Sequence, residues 1–231
     1  MGFDAVGAVV VWSAVTLGCY LMSRKIYRRW PNWWLMPLAI TPMLVGVVLV
    51  GFGVPYARYI AGTRWLVWML GPATVAFAIP IYDQRRLALR HWRVLALGMV
   101  AGSVTAIGSS WVLASMVGID GVLRLSLLPR SISTPFAMDL SAAIGGVPEL
   151  TSVFVIVTGV MGAVIGEVAL ARMPTGSTLA GGAMFGVGAH AAGTAHAQRL
   201  DPTVAALSGM TMVLTGVLNV VASPLIRLVV G

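Results

Sequence analysis

The sequence predicts an all-α fold: a polytopic transmembrane helical bundle with proline-broken and re-entrant segments. Three observations predict it. Hydrophobic residues make up 58% of the 231 residues and charged residues only 10%, with a mean hydropathy of +0.92, far outside the balance of a soluble globular domain. The basic residues gather in clusters between long apolar runs, as membrane topology requires. Prolines interrupt several of those runs, and interrupted backbone at membrane depth survives only where it is buried in protein or lines a cavity. Residues 1–231 read as one transmembrane domain.

The elements follow in order. Residues 5–22 form a first span, with Asp4 before it and no basic region or small-residue cleavage site, so it reads as a retained helix and not a cleaved signal peptide. Arg24, Lys25, Arg28 and Arg29 stop it, and Trp30, Trp33 and Trp34 follow as interfacial aromatics. Residues 35–53 return across the membrane, and Tyr56, Tyr59 and Trp65 mark the opposite interface. Residues 66–82 cross again, interrupted by Pro72 and Pro80. Arg85, Arg86, Arg90 and Arg93 form a second basic cluster, with Asp83 expected to pair within it. Residues 94–117 are a clean span whose Gly98 and Gly102 stand in GxxxG spacing, which lets helices approach closely.

Beyond residue 117 two topologies stay open. Residues 125–146 either enter and leave by one side or cross, followed by spans at 151–171, a Gly/Ala-rich segment ending at Ala197, and 204–229. Seven spans plus a re-entrant element suit the sparse arginines Arg172 and Arg227 slightly better than eight. A faint internal repeat relates GPATVAFAIP, residues 71–80, to RSISTPFAMD, residues 130–139. Paired proline-interrupted segments point to the binding site in many transporters.

Charge and composition exclude several classes of function. The net charge of +8 comes almost wholly from arginine, since Lys25 is the only lysine. These groups sit where topology needs them, and no soluble module remains to bind nucleic acid. One cysteine, Cys19, excludes an internal disulfide and a cysteine metal cluster. No GxSxG, HExxH or paired catalytic carboxylates occur, so neither an enzyme, a metal site nor a cofactor is expected.

The chemistry concentrates in residues 128–151. Pro129 and Pro135 break the helix, while Arg130, Ser131, Ser133 and Thr134 supply a fixed cation and three hydroxyls in one short stretch. That set suits a small anion: arginine offers a planar fork matched to a carboxylate, and a half-helix beginning after Pro135 adds its N-terminal amides. The alternative is that Arg130 reaches an interface and the hydroxyls only cap a helix. A second constellation lies at residues 181–201, where His190 and Thr194, four apart, share a helical face. His190 could donate to an anion or carry a proton, or it could simply bond a neighbouring carbonyl. His196, six residues on, falls roughly on the other side, so no two-histidine metal site follows. Among the acids, Asp139 is the candidate for proton coupling beside His190, Glu149 suits a helix start, and Glu167 lies near the interfacial Arg172.

Four motifs give the chain a resemblance. LPRSISTPFAM at 128–138, IGGVP at 144–148, HAAGTA at 190–195 and PATVAFAIPIY at 72–82 resemble, in order, the motifs of the LrgB/CidB family of bacterial membrane proteins, which includes the C-terminal part of plastid glycolate/glycerate transporters. The resemblance implies one of two functions: a carrier of small monocarboxylates such as pyruvate, glycolate or glycerate, or an antiholin-like modulator of murein hydrolase activity and autolysis. It implies a small LrgA/CidA-type membrane partner, with a homo-oligomer as a further form of assembly. Where a basic residue commonly follows GTA, this chain has His196. On the carrier reading, Arg130 binds the carboxylate, Ser131, Ser133 and Thr134 its oxygens, and His190 with Thr194 the opposite side, in the cytoplasmic (inner) membrane with the N-terminus outside.

The topology makes a first prediction. The clusters at Arg24 to Arg29 and Arg85 to Arg93 both follow odd-numbered spans and should share the cytoplasmic side. Cysteines placed in each cluster of a Cys19→Ser background should both resist membrane-impermeant label applied outside, and strong labelling of one alone refutes the arrangement.

Overall fold

A computed structural model describes the backbone of residues 3–76, 78–172 and 177–230. Among the described residues every regular element is helical and no strand occurs. The chain forms two compact units, Met1–Thr74 and Val75–Gly231. Helices Val6–Arg29, Trp92–Met116, Pro148–Ala169 and Pro202–Val221 are long and apolar enough to cross a membrane, and Pro37–Gly51 and Thr178–Gly188 are shorter apolar helices.

The first unit is built on α1, Phe3–Arg29, against which α2, Pro37–Gly51, and α3, Tyr56–Trp68, both pack. Helix α1 runs past the expected stop at Met22. Charge ends an apolar run but not a helix; the element closes ahead of Pro31, whose ring disfavours helical backbone in the residue before it. Residues 56–65, expected only to mark an interface, are helical and fasten α3 to α1. The Tyr59 hydroxyl lies 3.1 Å from Thr16 Oγ1, and Trp65 Nε1 donates to Ser13 Oγ at 2.8 Å. A Cβ at Gly62 would stand 2.8 Å from the Ala8 carbonyl oxygen, so α3 can approach α1 only with glycine there. Fully buried Ser23 shares a 2.8 Å hydrogen bond with Thr41 of α2.

The expected span at 66–82 is broken at Met69, between the end of α3 and the helical residues described as α4, Leu70–Ala76, and α5, Ala78–Asp83. Proline explains the break. Pro72 offers no N–H to the Trp68 carbonyl and its ring crowds that oxygen, and α3 stops at Trp68. Phe77 and the side chain of Pro80 lie outside the described residues.

The second unit continues with α6, Arg85–Arg90, and α7, Trp92–Met116. Asp83 makes no ion pair with the cluster among the described residues, contrary to expectation. Arg85 turns back instead, donating to the Tyr82 carbonyl at 2.7 Å with its guanidinium 3.9 Å from the Tyr82 ring centroid. The segment expected to be re-entrant comprises α8, Gly121–Leu127, a 3-10 turn at Leu128–Ser131, and α9, Thr134–Ile144. The longest of these, α9, has 11 residues, about 16 Å of helix, so none of them crosses a bilayer core of about 30 Å alone. Gly145 closes α9 at φ +93, a left-handed cap that glycine adopts freely. Then come α10, Pro148–Arg172, α11, Thr178–Gly188, α12, His190–Leu200, α13, Pro202–Val221, and α14, Ser223–Val230. The expected span at 204–229 is therefore interrupted, at Ala222 ahead of Pro224.

Helix α13 is the centre of this unit, packed against α5, α7, α9, α11 and α12. Its apolar residues join two clusters, one with Leu128, Phe136 and Leu140 and one with Leu95, and Ile81 of α5 packs against both. Ser208, Thr211, Thr215 and Asn219 recur on it at helical spacing, all buried. Close approach makes this packing possible. A Cβ at Gly186 of α11 would collide with Thr211 and the Ser208 carbonyl of α13, and one at Gly102 of α7 with Val187. Gly98, the other half of the GxxxG pair, faces open space.

The Gly/Ala-rich segment is not one helix. It breaks between α11 and α12 at His190, whose φ of +39 makes it the non-glycine residue with left-handed backbone among those described. Glycines 159, 162 and 166 of α10 form one face against the break, where a Cβ would stand 2.8 Å from the His190 ring, 2.7 Å from the Gly188 carbonyl oxygen and 2.9 Å from the Phe185 ring. Left-handed backbone costs a residue with a Cβ about 1 to 2 kcal/mol, so the break is held by this packing.

Two predictions follow from helix ends. His190→Gly and His190→Ala both remove the imidazole and differ only in the Cβ that alanine keeps, so at this positive φ the glycine variant should be the more stable by about 1 kcal/mol in unfolding of the detergent-solubilised protein. Asp201 caps α13, its Oδ1 accepting from Thr203 N at 2.6 Å and Val204 N at 3.2 Å. The Val204 amide first, then that of Thr203, holds this carboxyl below its usual pKa. Its stabilising effect is therefore present above the unfolded value, about 3.9, and lost as pH falls through the lower folded value. Asp201→Ala should melt below wild type at neutral pH, with the gap closing in acid; a gap independent of pH contradicts the cap.

Candidate functional site

The structure places the hydroxyl-rich stretch in the wall of the second unit's core. Pro129 and Leu128 are buried, and the 3-10 turn they open carries Arg130, half-buried, into contact with α7. Arg130 Nε donates to Ser110 Oγ at 2.8 Å, and Ser110 in turn donates to the Ala106 carbonyl at 2.6 Å. Among the described residues the two Nη groups make no hydrogen bond and no carboxylate neutralises the charge.

His190 comes to the same place from the other broken helix. It is 1% exposed, its ring lies beside the Arg130 main chain, and its Nε2 makes no hydrogen bond among the described residues. The sequence suggests Arg130 and His190 on opposite sides of an anion; in the structure it is the main chain of Arg130 that lies beside the His190 ring. Pro135 starts α9 as expected, with Ser133 at the N-cap position. Ser133 is buried at 2% exposure but makes no side-chain capping bond, and Thr134 is half-buried.

Ser131 faces a small cavity shared with Ser103 of α7 and Thr215 and Asn219 of α13, walled by Pro129 and Val187. Its open space is about 10 Å³, room for about one water molecule. Asn219 Nδ2 donates to Ser103 Oγ at 2.7 Å and to the Thr215 carbonyl at 2.8 Å. These α13 residues were missed by the sequence reading, although the pattern SxxTxxxTxxxN from 208 to 219 shows polar residues along one helical face. Fully buried Thr151 was also unassigned: its hydroxyl lies within hydrogen-bonding reach of the Ser126 carbonyl and Ser141 Oγ, at 2.8 and 2.7 Å, and ties α10 to α8 and α9.

Other expected members lie elsewhere. The Thr194 hydroxyl shares a 2.8 Å hydrogen bond with Ser208, joining α12 to α13. Asp139 is exposed, because the buried face of α9 holds Phe136, Ala137, Leu140, Ser141 and Ile144 and position 139 turns away from it. Glu149 occupies the first turn of α10, as a helix start requires. Glu167 meets His196 Nε2 at 3.4 Å, not Arg172. His190 and His196 both reach α10, since the positive φ at His190 takes it out of the regular repeat that puts the rings on different sides. Arg124, unassigned from sequence, pairs with Asp120 at 3.1 Å and lies 3.8 Å from the Trp111 ring centroid. Its contrast with Arg130 is chemical: one arginine has a carboxylate partner and the other has only a hydroxyl.

The LrgB-like family pattern matches residues 16–229. The uncharacterized protein YwbG of Bacillus subtilis (strain 168) is 38% identical over 211 residues, covering 91% of this chain and 93% of the relative. YxaC of the same organism is 35% identical over 212 residues, covering 92% of each. A Staphylococcus epidermidis protein described as holin-like protein CidB is 29% identical over 219 residues, covering 95% of this chain and 96% of the relative. No solved structure matches the chain. The match extends over the broken helices, the Arg130 turn and the His190 break, and the chain belongs to the LrgB-like family as a multi-pass membrane protein of the LrgB/CidB kind.

Proposed function

We propose that this chain is a holin-like membrane component, a non-enzymatic modulator of murein hydrolase activity and autolysis that acts with a small LrgA/CidA-type partner in the cytoplasmic membrane, its N-terminus outside. The likeness to a holin-like CidB protein along 95% of the chain supports the class. The small size of the cavity beside Ser131 is the observation that carries the choice. Space of about 10 Å³ beside Ser131 holds about one water, so even a two-carbon acid does not enter it. The hydroxyls of Ser110, Thr151, Thr194 and Thr211 are engaged within the protein, which fits a role in packing and assembly.

A second reading has its own support. Among the described residues Arg130 stands half-buried without a carboxylate, beside a histidine whose Nε2 has no hydrogen-bond partner. Two interrupted segments meeting at a fixed cation suit a carrier of small monocarboxylates by alternating access, in which this form is the closed one and proton coupling falls to His190.

Melting of the purified protein with millimolar pyruvate, glycolate or glycerate separates the readings, since specific binding raises stability by mass action. The modulator reading expects no shift with any of the acids, and a changed rate of autolysis when the chain is deleted and restored in cells. A saturable rise in melting temperature that is lost at least tenfold in affinity in folded Arg130→Gln overturns it in favour of the carrier, because removing a hydrogen-bonded charge partner costs about 2 to 5 kcal/mol.

A further inference from the structure

The second basic cluster borders an open hollow at the surface that neither reading uses. Residues 89–94, at the junction of α6 and α7, line about 360 Å³ of open space. Arg90 and Arg93 face it together with Trp92 and His91, and Leu89 and Val94 form its flanks. The junction stands at the first residue of a helix apolar enough to span the membrane, which is the depth of lipid headgroups.

Charge and exposure decide what fits. Arg90 and Arg93 are exposed and make no ion pair or hydrogen bond among the described residues; Asp83, the acid nearest in sequence, pairs with none of the cluster. The Arg93 guanidinium lies 5.6 Å from the Trp92 ring centroid, an arrangement that holds cation and aromatic at one level. Around them Leu89, Trp92, Val94 and Leu97 are 73%, 58%, 62% and 72% exposed. Apolar surface that open suits acyl chain, and a pair of cations beside it suits phosphate, to which arginine presents its fork.

We propose that residues 89–94 bind the headgroup of an anionic phospholipid, its phosphate held between Arg90 and Arg93, its glycerol against Trp92 and its chains along Leu89 and Val94. Basic residues at a membrane surface attract anionic lipid generally; two arginines without an ion pair among the described residues, set beside exposed apolar side chains around one open hollow, make this one a site. It binds one lipid in preference to its zwitterionic counterpart and reads the phosphate and the chain together.

The test uses the full chain in mixed micelles, titrated with phosphatidylglycerol or phosphatidylcholine of the same acyl chains and followed by thermal melting. Phosphatidylglycerol should raise the melting temperature saturably, phosphatidylcholine should not, and Arg90→Gln/Arg93→Gln should weaken the effect at least tenfold while Arg28→Gln/Arg29→Gln leaves it within twofold. Equal loss in the two double variants means diffuse attraction to any basic cluster and overturns the site. Glycerol phosphate acting at the same concentration as the lipid assigns the hollow to a free phosphate and overturns the lipid. Should Arg90→Gln/Arg93→Gln fail to fold, native mass spectrometry of the wild type decides: preferential retention of one phosphatidylglycerol supports the site, and equal retention of both lipids refutes it.

Discussion

A polar side chain buried among apolar helices has to find its partner inside the protein, and the second unit is arranged around that requirement at α13. Ser208, Thr211, Thr215 and Asn219 run down a helix that neighbours enclose on most sides. Each is satisfied: Ser208 by Thr194, Thr211 by the carbonyls of Leu207 and Ser208, Thr215 by the Thr211 carbonyl, and Asn219 by Ser103. An interhelical hydrogen bond in a membrane is worth only about 0.6 kcal/mol on average. Its absence is the larger effect, since an unpaired buried group costs about 1 to 3 kcal/mol. Thr215 is satisfied within α13 itself, so it is the Ser208–Thr194 and Asn219–Ser103 bonds that set which helices lie side by side, more than how strongly they adhere.

Small residues supply what this arrangement needs next. Between helices in lipid the attraction comes from packing, not from water, so backbones must come close. Gly186 and Gly182 let α11 settle on α13, and glycines 159, 162 and 166 let α10 settle on the α11–α12 break. The same closeness holds His190 at positive φ and brings its ring to the Arg130 main chain. The site residues are thus consequences of the helix contacts, and a change in α10 glycines would reach His190 before any ligand did.

The arginines divide by surroundings. Arg124 has a carboxylate and an aromatic ring, Arg85 has the carbonyl and ring of Tyr82, and Arg130 has a single serine. A charge in low dielectric is the more costly the fewer partners it has. Arg130 is the place in the described core where that cost is least offset within the protein, and Arg90 and Arg93, exposed and without an ion pair among the described residues, are its surface counterparts, where water can meet them.

Much of the fold was legible in the chain. Apolar run length, basic clusters and the prolines at 72, 129, 135 and 224 determine which segments are helical, which belong in lipid and where helices start and stop, because those properties are local: a missing N–H affects the carbonyl four residues back whatever surrounds it. The importance of residues 128–138 and 190–195 was also readable, since hydroxyls, a lone arginine and a histidine stand out in an apolar sequence. Tertiary structure decided the pairings. Thr194 went to Ser208, Asp139 turned outward, His196 met Glu167, α3 docked on α1, and Asn219 reached Ser103 across 116 positions of chain. Periodicity tells which face a residue occupies but not which helix that face meets, and partnership between distant positions is settled only when all the helices have to bury their polar groups at once.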